Sequence, residues 1–139
     1  MEKIFLSIMR AYNAHHDQAR IGFKKLGLTD GQPKVLFVLR DSPGYFQKDL
    51  AERCGVTPPT MAVLLSKMET QGLIRREDFL ISPGNYAKKV FATEEGDKKT
   101  DELLKFVDEL EEKTLSGFTA EEQKLLTELL ARVKDNLLM

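Results

Sequence analysis

Thr57, Thr60, Ser66 and Lys67 set four hydrogen-bonding side chains in one short segment, with Val63 among them. Hydroxyls and an ammonium there can bond phosphate oxygens or base edges, and the methyls of Thr60 and Val63 can touch thymine methyl groups. Gln47 precedes this group, and Arg76, Asn85, Tyr86 and Lys88 follow it. This is the chemistry of contact rather than of bond-making. No G-x-x-x-x-G-K-[ST], G-x-S-x-G, G-x-G-x-x-G or H-E-x-x-H pattern occurs, and no nucleophile–base pair stands out. We therefore expect no enzyme and no cofactor.

The other reactive residue types are sparse. Cys54 is the single cysteine, so it forms neither an intrachain disulfide nor a multi-cysteine zinc site. It lies on the apolar side of a short helical run and reads as a buried structural thiol. The adjacent His15 and His16 point about 100° apart on a helix and cannot grip a metal as an i, i+4 pair. No metal site is expected.

The elements that must position these residues are mostly helical. Ile4, Ile8, Tyr12, His15, Ala19 and Phe23 recur in steps of three or four, marking one face of a first helix that Gly27 can end. Thr29 and Gln32 have the spacing of a capping box for a second helix carrying Val35, Leu36, Val38 and Leu39. Pro33 is then a slight misfit in its first turns. A short helix spans about Gln47–Cys54, and Gly55-Val56-Thr57 is a tight turn. Thr57 is a good N-cap with Pro58 at the first helical position, and the helix runs to about Gln71 with Met61, Leu64, Leu65 and Met68 inward. Thr57 is thus a cap whether or not it also touches a ligand.

The period then changes. Leu73–Ile81 and Ala87–Ala92 are β-prone runs around the turn cluster Ser82-Pro83-Gly84-Asn85, which reads as a hairpin. Thr93 caps a long helix with Leu103, Val107, Leu110 and Thr114 as its stripe. Thr119 and Glu122 form a capping box for a last helix bearing Leu125, Leu126, Leu129, Leu130, Val133 and Leu137. Short helix, turn and helix make a helix-turn-helix, and the hairpin after it is a wing, so a mainly α fold with a small β-hairpin (α+β) is expected.

Bulk properties fit that reading. A length of 139 residues, 42% hydrophobic and 31% charged, favours one packed domain. The net charge of −1 excludes a protein that coats nucleic acid by charge alone. Between Thr57 and Thr93, however, Lys67, Arg75, Arg76, Lys88 and Lys89 outnumber Glu69, Glu77 and Asp78, a local surplus of two cations. Arg75 and Arg76 alternate across a strand, so one of them is expected to face DNA and the other to pair with an acid such as Glu77 or Asp78. Nothing approaches the ~20 apolar residues of a membrane span, and a cytoplasmic protein is expected.

The segments LTDGQPKVLFVL, KDLAERCGVTPPTMAVLLSKMETQGLIRRE and VFATEEG, in that order and spacing, resemble the MarR family of transcriptional regulators. The ending FTAEEQKLLTELLARVKDNL is also similar to that family's. The resemblance implies a single winged helix-turn-helix domain. Residues of about 28–93 would form the DNA-binding lobe, and about 1–27 and 94–139 the dimerisation helices. It implies a homodimer reading a pseudo-palindromic operator, acting as a repressor released by a small aromatic or anionic ligand. Met9, Tyr12 and His15, near Phe5, are candidates to line that ligand's pocket, though core packing is the plainer role of each.

Three positions depart from the family pattern. The usual wing Asp-x-Arg falls on Gly84 and Tyr86, the usual arginine of the recognition helix on Val63, and the usual hydroxyl opening the short helix on Phe46. These imply altered or weaker DNA binding. They also leave open a winged-helix protein-interaction module that has lost specific DNA binding.

Overall fold

A computed structural model describes all of residues 1–139. The element order is α1 (Ile4–Lys25), α2 (Gln32–Asp41), β1 (Tyr45–Phe46), α3 (Gln47–Cys54), α4 (Pro58–Thr70), β2 (Ile74–Ser82), β3 (Asn85–Ala92), α5 (Glu94–Thr114) and α6 (Ala120–Leu137). The chain packs as two units, Met1–Val107 and Asp108–Met139.

Local chemistry sets most boundaries in the first unit. Gly55 adopts φ 71°, the left-handed conformation that ends α3 at no steric cost and opens the tight turn. The Thr57 hydroxyl then accepts the Thr60 N–H at 3.3 Å, and Pro58 fills a position whose N–H would have no helical partner. Thr93 likewise accepts the Gly96 N–H at 3.0 Å at the start of α5.

The core is one cluster drawn from every layer of this unit. Val35, Leu36 and Leu39 of α2, Leu50 of α3, and Met61, Leu65 and Met68 of α4 are fully buried. Ile74 and Val90 of the sheet and Leu103 of α5 close it. The opening turns of α5, with Gly96, Thr100 and Leu103 buried, therefore belong to this core.

The sheet has three antiparallel strands in the order β1-β3-β2. Tyr45 and Phe46 pair with Val90 and Lys89, adding a short strand where the sequence shows only the lead-in to α3. In the hairpin Arg76 opposes Val90, Asp78 opposes Lys88 and Leu80 opposes Tyr86, with an irregularity between Leu80 and Ser82. Cross-strand partners share a face. Arg76, Asp78, Leu80, Tyr86 and Lys88 therefore share one face, and Arg75, Glu77, Phe79, Lys89 and Phe91 the other.

Two sequence expectations change. α2 begins at Gln32 rather than near Thr29, because Gly31 at φ 93° interrupts the chain. Half of the expected capping box survives, the Gln32 Oε1 accepting the Thr29 N–H at 3.1 Å. Pro33 consequently sits at the helix start and is no misfit. The apolar face of α1 is also divided. Ala19 and Gly22 are buried, whereas Ile4, Phe5, Ile8, Met9 and Tyr12 are exposed.

The second unit holds the end of α5 and α6. The Thr119 hydroxyl accepts the Glu122 N–H at 3.1 Å and the Glu122 carboxylate accepts the Thr119 N–H at 2.9 Å, a complete capping box. No residue of α6 is buried, and Leu125, Leu129, Leu130, Val133 and Leu137 are exposed. No helix is long and apolar enough to cross a membrane.

Candidate nucleic-acid interface

Arg76 of the hairpin meets Ser66 of α4 and Gln47 of α3, and Lys88 lines one cleft with Gln47, whereas Asn85 and Tyr86 stand apart at the hairpin tip. Val63 is the most exposed large apolar side chain of α4, at 73%. Pro59, Thr60, Leu64 and Lys67 surround it in a shallow depression. A second cleft, of about 410 Å³, opens between Gln47 at the start of α3, Pro58 at the start of α4, and Ile81 and Lys88 of the hairpin. The first turn of α3 has no side-chain cap, since Phe46 occupies the N-cap. That turn carries Lys48 and Asp49, both lining this cleft, and the Asp49 carboxylate is the negative charge that the helix dipole favours there.

Most polar groups expected to touch DNA already have protein partners. The Thr57 hydroxyl donates to the Thr60 hydroxyl at 2.9 Å. The Arg76 guanidinium is only 15% exposed and donates to Glu69 at 3.1 Å, to the Ser66 hydroxyl at 3.2 Å and to Gln47 Oε1 at 3.4 Å. Lys88 donates to Asp78 at 2.9 Å. Arg75 pairs with Glu77 on the opposite face of the hairpin and stacks 4.3 Å over the Phe91 ring.

Two lysines of this segment have no acidic partner. Lys67 stands exposed on α4. Lys89 lies on the face away from α4, with its ammonium 4.9 Å from the Phe79 ring centroid and 5.4 Å from that of Phe46. Asn85 and Tyr86 are exposed at the hairpin tip, where Tyr86 pairs across the strands with the equally exposed Leu80. An exposed apolar pair thus lies beside the polar turn residues Ser82 and Asn85.

Sequence reasoning overlooked Glu69, Leu80 and the aromatic group around Lys89. The hairpin register carries the signal for Leu80, because it places Leu80 opposite Tyr86. No periodicity links Glu69 to Arg76, since a turn separates them. The same is true of Gln32, fully buried with its amide donating to Gln71 at 2.9 Å.

Met9, Tyr12 and His15 all lie on the open surface of the protomer. The half-buried histidine of α1 is His16, stacked on Tyr12 with ring centroids 5.3 Å apart and 3.9 Å from the Asp30 carboxylate. Cys54 is buried, and desolvation pushes its thiol pKa up, against weaker lowering by Lys34 and Arg53. It is correspondingly poor in reactive thiolate.

Comparison with known proteins gives the same arrangement. Residues 26–79 match the model of the MarR family. The HTH-type transcriptional regulator YybA of Bacillus subtilis is 37% identical over 86% of this chain and 78% of its own. The transcriptional regulator HosA of Escherichia coli is 30% identical over 94% of each chain. The homoprotocatechuate degradative operon repressor of E. coli is 28% identical over 93% of this chain and 86% of its own. The crystal structure of the transcriptional regulator SlyA superposes with a TM-score of 0.82 at 27% identity, covering 98% of this chain and 94% of that one. A mutant MarR from E. coli, complexed with operator DNA, shares the fold at a TM-score of 0.79 and 20% identity over 94% and 92% of the two chains. With its helix-turn-helix, hairpin wing and near full-length relatives, the chain belongs to the MarR family of winged-helix transcriptional regulators.

Proposed function

We propose that this protein is a cytoplasmic homodimeric repressor that binds a pseudo-palindromic operator and is released by a small aromatic or anionic molecule. The observation that carries the DNA reading is the solvent-facing side of α4, where Val63, Thr60 and Lys67 stand uncovered beside the wing. A helix so presented fits a major groove, and a hairpin at its flank reaches the neighbouring backbone. Repression is supported by the relative named as an operon repressor. Dimerisation is supported by the exposed apolar residues of α1 and α6. A ligand releases DNA only by binding one arrangement of the two lobes better than the other.

A second reading, an interaction module without specific DNA binding, is favoured by one observation. Arg76 and Lys88 are neutralised by Glu69 and Asp78, and Gly84 and Tyr86 stand where the family's wing charges lie.

Fluorescence anisotropy of the full-length protein with its own upstream DNA, at low and moderate salt and against unrelated DNA, separates the two. A repressor binds the upstream duplex preferentially, with affinity falling steeply as salt rises. Weak and equal binding to both duplexes selects the second reading.

A further inference from the structure

We propose that Val63 and Thr60 read thymine methyl groups, so that each half-site of the operator is built around A·T pairs rather than a guanine. The inference rests on the DNA-binding reading above and specifies what that surface recognises.

The outer face of α4 offers partly engaged hydroxyls rather than amide or guanidinium groups. Thr57 and Thr60 bond each other, and Ser66 accepts from Arg76. Guanine is ordinarily read by a bidentate arginine or a lysine, and adenine by asparagine or glutamine. No arginine, asparagine or glutamine lies between Pro58 and Thr70, and Lys67 is the single cation there. The centre of the exposed face is instead Val63, which is 73% exposed. Its nearer companions, Pro59, the Thr60 methyl and Leu64, continue the apolar patch.

Such a patch in a major groove discriminates in two directions. Against thymine, both partners remove methyl surface from water. Against a G·C pair, the same methyls dehydrate the guanine N7 and O6 acceptors and the cytosine amino group without replacing their hydrogen bonds. Lys67, one turn beyond Val63, remains free for a phosphate and orients the helix without choosing the base. The apolar pair Leu80 and Tyr86 at the wing tip agrees with a protein that reads shape and methyl groups more than charge.

The test uses the full-length protein and a randomised duplex library. Bound duplexes are selected and sequenced, and the preferred duplex is remade with deoxyuridine replacing each thymine of the half-sites. Deoxyuridine keeps every hydrogen-bonding group and deletes only the methyl. The expected result is A·T pairs at the half-site cores and a loss of about fourfold in affinity for each contacted methyl removed. The variant combining Val63→Ala with Thr60→Ser keeps the hydroxyl that accepts from Thr57, leaves the Thr57 cap untouched and loses the apolar methyls. It should bind the thymine duplex more weakly, show no further loss with uracil, and melt like the wild-type protein. Equal wild-type affinity for the thymine and uracil duplexes, or a selected G·C core, overturns the inference while leaving DNA binding intact. Uracil sensitivity that persists in the double variant overturns the assignment to these two residues. No enrichment from the library overturns the DNA-binding reading itself, and this inference with it.

Discussion

The Arg76 guanidinium lies 3.1 Å from the Glu69 carboxylate and so fastens strand β2 to the C-terminal half of α4. Through Ser66 and Gln47 the same guanidinium reaches the middle of α4 and the start of α3. One side chain thereby ties α3, α4 and the first strand of the wing together. The hydrogen bond from Arg76 holds the Glu69 carboxyl below its usual range, against a smaller opposing effect of burial. A lowered folded-state pKa favours the folded form above the ordinary carboxylate range, and that contribution is lost as pH falls through the lowered value. Solvent screening keeps the pair's worth below about 1 kcal/mol. Urea titrations of wild type and Glu69→Gln should therefore differ slightly at neutral pH and converge in acid. A difference that stays constant with pH would show that the ion pair contributes nothing.

Gly96 abuts the carbonyl of Leu73, which itself accepts the Thr93 N–H at 3.1 Å. An added Cβ would overlap that carbonyl oxygen, and backbone on both sides leaves nothing to move. Gly22 is similarly crowded, but its obstacle is the ring of Phe106, a side chain. Overpacking of this kind costs about 1–3 kcal/mol, and more where the neighbour is rigid. Gly96→Ala should therefore lower the urea midpoint more than Gly22→Ala. Adding Phe106→Leu should recover part of the Gly22→Ala loss and none of the Gly96→Ala loss. Equal recovery in both would mean that the two sites fail by a common route.

The contrast between these two glycines also separates what the sequence discloses from what it does not. Thr93-Glu94-Glu95-Gly96 looks from the sequence like a helix start, which it is, and the cap at Thr57 and the box at Thr119 are legible for the same reason. In each case the partner lies three residues away, and spacing alone fixes the geometry. The start of α2 misleads because the Gln32 half of the box forms while Gly31 breaks the helix before it reaches Thr29. Strand β1 has two residues and no alternation, and it exists because Val90 and Lys89 lie beside it. The candidate contact residues can be named from the sequence, but their availability cannot. Whether Arg76 is free for DNA depends on Glu69, Ser66 and Gln47, which only the folded chain brings together.

Lys67 is the one cation of α4 and has no acidic partner. If it meets a phosphate, its removal should act on all sequences alike. In anisotropy titrations over a range of salt, Lys67→Ala should weaken specific and unrelated DNA by similar factors. It should also flatten the plot of log affinity against log salt by about 0.9 for each protomer engaged. Loss confined to the preferred duplex, with the salt slope unchanged, would instead assign Lys67 to a base edge.

The exposed leucines of α6 bear on assembly. Leu125, Leu129 and Val133 follow one another at i, i+4 and i+8, and all three are solvent-exposed in the protomer. A helix stripe of this kind is stable in water when a second apolar surface covers it. Leu129→Asp puts a charge at its centre, and burying that charge is costly unless it finds a partner. Sedimentation should show the wild-type protein as a dimer and Leu129→Asp as a monomer with the same helical content. Two linked lobes bind a two-part operator more tightly than one by a factor of about 10²–10⁴, so the monomer should lose specific binding on that scale. A Leu129→Asp protein that remains dimeric and binds as wild type would remove α6 from the interface and leave the exposed face of α1 as the surface to test.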